Sequence, residues 1–134
     1  MKESKKDILD KIAKQSKKDT KFESLILNRA LQRLDNDENF DVVDKFVYTA
    51  DHKRLVYILG DDETVTIEEG VEVIGEMAAT KKRNLKMLNF PSTLRKIEKD
   101  AFTDCDGLTQ ISIPSSVEEI EAYAFGDCDS LKSV

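Results

Sequence analysis

The sequence predicts an α+β fold in which a short solenoid of 23-residue repeats follows an N-terminal helical segment, and three observations carry that expectation. From residue 65 onward the chain superimposes on itself when shifted by 23 residues. The opening residues of the repeat units alternate apolar with polar at period two, the pattern of a half-buried strand. Residues 1–40 instead space their apolar side chains at the helical period.

In the first forty residues, Ile8, Leu9, Ile12 and Ala13 form one apolar stripe and Phe22, Leu25, Ile26, Ala30 and Leu34 a second. Lysines fill most of the gaps in the first stripe, so the spacing predicts two amphipathic helices joined near Lys17 to Lys21. Asp35-Asn36-Asp37-Glu38-Asn39 reads as a polar linker, which divides the chain into a helical segment and linker at 1–40 and a repeat domain at 41–134. Ten basic and eight acidic side chains give the first part a charge of +2, against −8 for the second.

The repeat register is continuous. Leu85 falls on Leu108 and Leu131, Leu88 on Ile111 and Val134, Phe90 on Ile113, and Pro91 on Pro114. Leu94 meets Val117, Ile97 meets Ile120, Ala101-Phe102 meets Ala124-Phe125, and Cys105 meets Cys128. One step back, Val65, Ile67, Val71, Ile74 and Ala78 lie on the same lattice, but Glu68 replaces the proline, Ala79 the phenylalanine and Lys82 the cysteine, as in a degenerate terminal repeat. A period of this length with Leu-x-x-Ile-x-Ile spacing is that of a leucine-rich solenoid, one strand and one return segment per unit. In Leu108-Thr109-Gln110-Ile111-Ser112-Ile113 the strand points Ile111 and Ile113 inward and Gln110 and Ser112 outward. Pro114 ends strand pairing, Val117 and Ile120 return to the core, and the Phe125 ring fills the space between two walls.

The stretches Phe90-Pro91-Ser92-Thr93-Leu94 to Leu108 and Ile113-Pro114-Ser115-Ser116-Val117 to Leu131 resemble the BspA-type leucine-rich repeat family, and the likeness covers Val65 to Val134. The resemblance implies that Phe46 to Ile58 is the β-hairpin that often precedes the first repeat. The sequence departs from the family at Glu98 and Glu121, where Gly75 retains the usual glycine. With the hairpin added, the expected fold is α+β: a short leucine-rich repeat solenoid with 23-residue repeats, preceded by a β-hairpin cap and an N-terminal helical segment.

Chemistry-bearing patterns are few. Asp35, Asp37 and Asn39 have the opening spacing of a calcium loop, but Phe40 stands where the loop needs glycine and Phe46 where it needs glutamate. His52, the sole histidine, has no partner at catalytic spacing, and the pairs Asp61-Asp62 and Glu68-Glu69 point to opposite faces of a strand. Cys105 and Cys128 stack one rung apart with parallel side chains and are expected to be a reduced buried pair. Lys81, Lys82, Arg83 and Lys86 form a basic cluster, read either as a solvated loop or as a contact for an acidic partner. No phosphate loop, nucleophile elbow or metal-ligand set is present, so no enzyme, cofactor or metal is expected.

The expected function is non-enzymatic recognition of a protein or peptide by the outer wall of the solenoid. Its outward rows are Glu63, Thr64 and Thr66; Lys86, Met87 and Asn89; Thr109, Gln110 and Ser112; and Lys132 and Ser133. The resemblance adds that family members are commonly surface or secreted adhesion and recognition proteins. The alternative is a structural assembly element, or a fragment of a longer repeat protein, associating with itself through an uncapped C-terminal rung of Ile111, Ile113, Ile120, Phe125 and Cys128. A net charge of −6 argues against nucleic acid, and no apolar run reaches the ~20 residues of a membrane span. Met1 to Lys18 is too charged for an export segment, so the chain as written is expected in the cytoplasm, or at the cell surface or secreted if it is a fragment.

Overall fold

A computed structural model describes residues 40–109 and 111–128. The helices expected at residues 1–39, together with Gln110, Lys132 and Ser133, lie outside the described residues. Eight strands run in order: β1 (Phe40–Val43), β2 (Phe46–Thr49), β3 (Arg54–Ile58), β4 (Thr64–Thr66), β5 (Val73–Ile74), β6 (Met87–Asn89), β7 (Lys96–Ile97) and β8 (Glu119–Ile120). β1, β2 and β3 form an antiparallel meander, and β3 then pairs in parallel with β5, which continues to β7 and β8. The result is a six-stranded wall in the order β1-β2-β3-β5-β7-β8, facing a two-stranded wall in which β4 pairs in parallel with β6.

The described residues contain strands and turns but no helix, which corrects the α+β class to an all-β arrangement. The return corners show why no helix starts there. Met77 and Lys81, Asp100 and Asp104, and Tyr123 and Asp127 take left-handed φ values between 55 and 64°. Two such residues four apart in each unit interrupt right-handed helical geometry, and aspartate is among the side chains that tolerate the conformation best.

The core is a set of vertical rows. Leu55, Ile74 and Ile97 are fully buried along the six-stranded wall, and Val65, Leu88 and Ile111 are buried opposite them. Two expectations are corrected here. Val117 and Ile120 do not both return to the core: Val117 is half-buried and Ile120 is 45% exposed, because no described rung stacks beyond it. The strand expected at Leu108 to Ile113 is not assigned, although Ile111 is buried and Ile113 packs against the core. The structure also adds β1. Phe40, read as the end of the linker, is fully buried and begins this strand.

Successive rungs are stitched by polar side chains at fixed positions. Glu98, at a position where glycine is usual, accepts a 3.1 Å hydrogen bond from the Glu76 amide and a bidentate pair from Arg54 at 2.6 and 3.2 Å. Glu121 accepts the Lys99 amide in the same way at 3.1 Å. Gly75 cannot carry such a side chain, since a Cβ there would lie 2.9 Å from the Leu55 carbonyl oxygen. The glutamates therefore join rungs wherever the neighbouring backbone leaves room for them.

At another corner Glu69 accepts the Ser92 hydroxyl at 2.6 Å and the Ser92 amide at 2.8 Å. These two bonds, the hydroxyl first, hold the Glu69 carboxyl below the usual carboxylate range. Because the folded-state value is depressed, the contribution is present above the ordinary glutamate range and is lost as pH falls through the folded-state value. In an NMR titration Glu69 is expected to change charge at lower pH than a glutamate without such bonds, and Ser92→Ala is expected to move it part of the way back, since alanine keeps the backbone amide that donates to the carboxylate. An unchanged Glu69 curve in that variant would remove the bond from the account.

Candidate interaction surface

The two-stranded wall brings together several of the outward residues expected from the repeat. Its register places Thr64 opposite Met87 and Thr66 opposite Asn89, with Val65 and Leu88 buried between them. All four outward side chains are exposed, and Met87 is 54% exposed. Asn89 Nδ2 donates to Thr66 Oγ1 at 3.1 Å, and Lys86 Nζ sits 3.8 Å from a Glu63 carboxylate oxygen. Thr109 and Ser112 are exposed one rung further on, while Gln110 and Lys132 lie outside the described residues. The arrangement is a small, polar, rigid surface with one apolar side chain near its middle. It can make hydrogen bonds and a thioether contact.

The other candidates are absorbed by the scaffold. The basic cluster is dispersed: Lys81 faces Asp104 at 3.5 Å, Arg83 faces Asp106 at 3.9 Å, Lys86 faces Glu63, and Lys82 donates to the Gly60 carbonyl at 2.6 Å. The adjacent carboxylates take separate partners, Asp62 with Lys45 at 2.7 Å and Asp61 with the Asn84 amide at 3.3 Å. His52 stacks on Tyr48 at 4.6 Å and offers one ring nitrogen to Asp41 and the other to Glu68, so it clamps the meander to the first rung. Burial, and then the charge of Glu68, push the Tyr48 phenol well above its ordinary range. Asp51 lies below the carboxylate range because it accepts the Lys53 amide and then the Thr49 hydroxyl. Both cysteines are free and buried, Cys105 donating to Ala79 O at 3.2 Å and Cys128 to Phe102 O at 3.0 Å. The neighbouring Cys128 sulfur, and then burial, push the Cys105 thiol up from its ordinary range.

One surface was not anticipated from the sequence. The outer face of the six-stranded wall carries a shallow depression of about 360 Å³ lined by Glu72, Val73, Arg95, Lys96, Glu118 and Glu119. Arg95 pairs with Glu118 at 2.8 Å, and Lys96 reaches Glu119 at 3.9 Å and Glu121 at 3.4 Å. The 23-residue lattice already aligns Glu72 with Arg95 and Glu118, so the alternating charge of this row was the available signal.

Among the described residues no group of three or more His, Cys, Asp or Glu side chains could hold a metal ion, and no helix is long and apolar enough to cross a membrane. No curated protein matches the chain. The structure is similar to the T. pallidum leucine-rich repeat protein, with a TM-score of 0.62 at 26% identity over 70% of this chain and 49% of that one. It is also similar to the pneumococcal vaccine antigen PcpA, with a TM-score of 0.56 at 28% identity over 63% of this chain and 21% of that one. A leucine-rich cell surface protein from Faecalibacterium prausnitzii A2-165 shares the fold at 21% identity and a TM-score of 0.54, over 69% of this chain and 32% of that one. The chain thus spans half or less of the length of each. The cytoplasmic expectation is corrected by the likeness to PcpA, since that structure is of a pneumococcal vaccine antigen. Its physical ground was narrow: the charge of residues 1–18 describes those residues and does not assign a compartment to the fold. Residues 61–134 match the family described as BspA type Leucine rich repeat region (6 copies), and the chain belongs to that family as a non-enzymatic leucine-rich-repeat module.

Proposed function

We propose that the module binds another protein or an extended peptide through the outer face of β4 and β6, in a cell-surface or secreted setting. The carrying observation is the in-register exposure of Thr64, Thr66, Met87 and Asn89 on a wall whose alternate residues are locked into the core. Rigid rows of small polar groups around an exposed thioether suit recognition because little side-chain entropy is lost on contact. Ser112 continues the row of Thr66 and Asn89, Thr109 continues that of Glu63 and Lys86, and in the sequence Gln110 and Lys132 stand at the next lattice positions after Met87 and Thr109. Peptides selected from a displayed library on the full chain are expected to lose at least tenfold in affinity on a Thr64→Lys/Met87→Lys variant. Selected peptides indifferent to both changes would remove the wall as the binding face.

A second reading, association through the C-terminal end of the stack, is supported by Ile120 and Tyr123, which are 45% and 70% exposed. Self-association through that end is expected to raise the molar mass above 15.2 kDa as concentration increases. A constant monomer mass across a hundredfold range in light scattering would remove self-association.

A further inference from the structure

The outer face of the six-stranded wall carries a charge pattern that the stacking of its own rungs leaves partly unused. One row across the strands runs Lys53, Glu72, Arg95, Glu118, each residue donating its backbone N–H to the carbonyl of the one before it at 2.7 to 2.8 Å, and the sign alternates at every step. The step from Arg95 to Glu118 is an ion pair of 2.8 Å between two exposed side chains. Among the described residues the Lys53 ammonium and the Glu72 carboxylate take part in no ion pair. Glu72 and Arg95 both line the shallow depression of about 360 Å³. Attraction between neighbouring rungs therefore accounts for the upper half of the row and leaves the charge of Glu72 at the depression unexplained.

The spacing of the row selects its occupant. Neighbouring strands lie ~4.8 Å apart, so the sign changes at that interval, and a partner of uniform charge meets repulsion at every second rung. An extended peptide laid along the row repeats its same-face side chains every ~6.7 Å and a helix completes a turn every ~5.4 Å, both out of step with it. A second stack of rungs repeats at the same interval, and this chain has the matching order. Turned end over end about an axis parallel to the strands, a second copy reads Glu118, Arg95, Glu72, Lys53 and sets an opposite charge against each of the four. In the row beside it, Arg54, Val73, Lys96 and Glu119, the same turn sets Arg54 against Glu119 and Val73 against Lys96, so no like charges meet there either. We infer that the outer face of β3, β5, β7 and β8 is an isologous interface between two copies of this chain, in which the Arg95 of each copy enters the depression of the other and meets its Glu72. That central pair lies beside the axis and is the same whatever follows Glu118. The face is distinct from that of β4 and β6 and from the end of the stack.

Light scattering on the full chain at low ionic strength is expected to show a dimer, with twice the 15.2 kDa of the monomer, that added salt dissociates. Glu72→Arg sets arginine against arginine at both central contacts and Arg95→Glu sets glutamate against glutamate, so each variant alone is expected to dimerise more weakly by about tenfold or more. Mixed in equal amounts, the two variants are expected to form a heterodimer about as tight as the unaltered dimer, because the arginines of one then face the glutamates of the other. Misfolded chains cannot give that rescue. A monomer mass for the unaltered chain at every concentration, or a mixture that associates no more tightly than its components, would overturn the inference and leave the row as charges that join rungs within one chain. Dimers that persist undiminished in both single variants would overturn it in favour of association through the end of the stack.

Discussion

Replacing Phe102 with alanine is expected to destabilise the fold by about 3–5 kcal/mol. The ring is fully buried, edge-on to Phe90 at 5.9 Å and stacked on Phe125 at 5.3 Å. It occupies the space between the two walls, so its removal loses contact with both, and the backbone on either side cannot collapse inward while its rung hydrogen bonds hold. The Phe102 amide donates to Ala124 O at 2.7 Å, and the Ala79 amide donates to Ala101 O at 2.8 Å. A loss of that size is a large fraction of the ~5–15 kcal/mol that holds an ordinary domain together. Phe125 tests the same account from one rung up. It sits at the equivalent position but is only half-buried, so Phe125→Ala should lose roughly 1–2 kcal/mol. Urea unfolding followed by circular dichroism measures both, with unchanged dependence on denaturant showing that the unfolded states are comparable. Equal losses at the two positions would mean that the last described rung is covered as fully as the one before it.

The contrast between these two phenylalanines shows what was legible in the sequence. A lattice of apolar residues at period 23 places Phe102 and Phe125 at one structural position, and the structure stacks their rings as the lattice requires. What a lattice does not report is whether a further rung lies above, so Ile120 looked as buried as Ile97. The parallel strands β5, β7 and β8 were also hard to read, because each is two residues long with a single inward isoleucine and no alternation to detect. β1 was hidden for a different reason: it follows an acidic run, and its turn into β2 relies on Asp44 at a φ of 56° rather than on a glycine. The outer rows of Thr64, Thr66, Met87 and Asn89 followed directly from period-two alternation. The charged rows of the opposite wall lay on the same lattice, yet they become a surface only once two-residue strands are known to stack there.

The largest effect outside the apolar core is expected at Lys82, where substitution by methionine should lose about 1.5–3 kcal/mol, the range for a hydrogen bond to a charged group. Lys82 takes the place that Cys105 and Cys128 hold in later units, and it is 8% exposed. The cysteines satisfy a backbone carbonyl of the preceding rung, Ala79 O and Phe102 O. The first rung has the meander before it instead, and there the lysine ammonium donates to the Gly60 carbonyl at 2.6 Å. The same ammonium lies 5.0 Å above the Tyr57 ring, a further attraction that strengthens where water is excluded. Methionine keeps the apolar stem, so its loss isolates the charge and the donor. Lys81→Met is the reference: that side chain is 42% exposed, its ion pair with Asp104 is at the surface, and a change within about 0–1 kcal/mol is expected. High salt should erase the Lys81 contribution while leaving that of Lys82, because a sheltered contact is screened far less than an exposed one. A loss at Lys82 no larger than that at Lys81, or one abolished by salt, would show that the first rung is joined to the meander by packing alone.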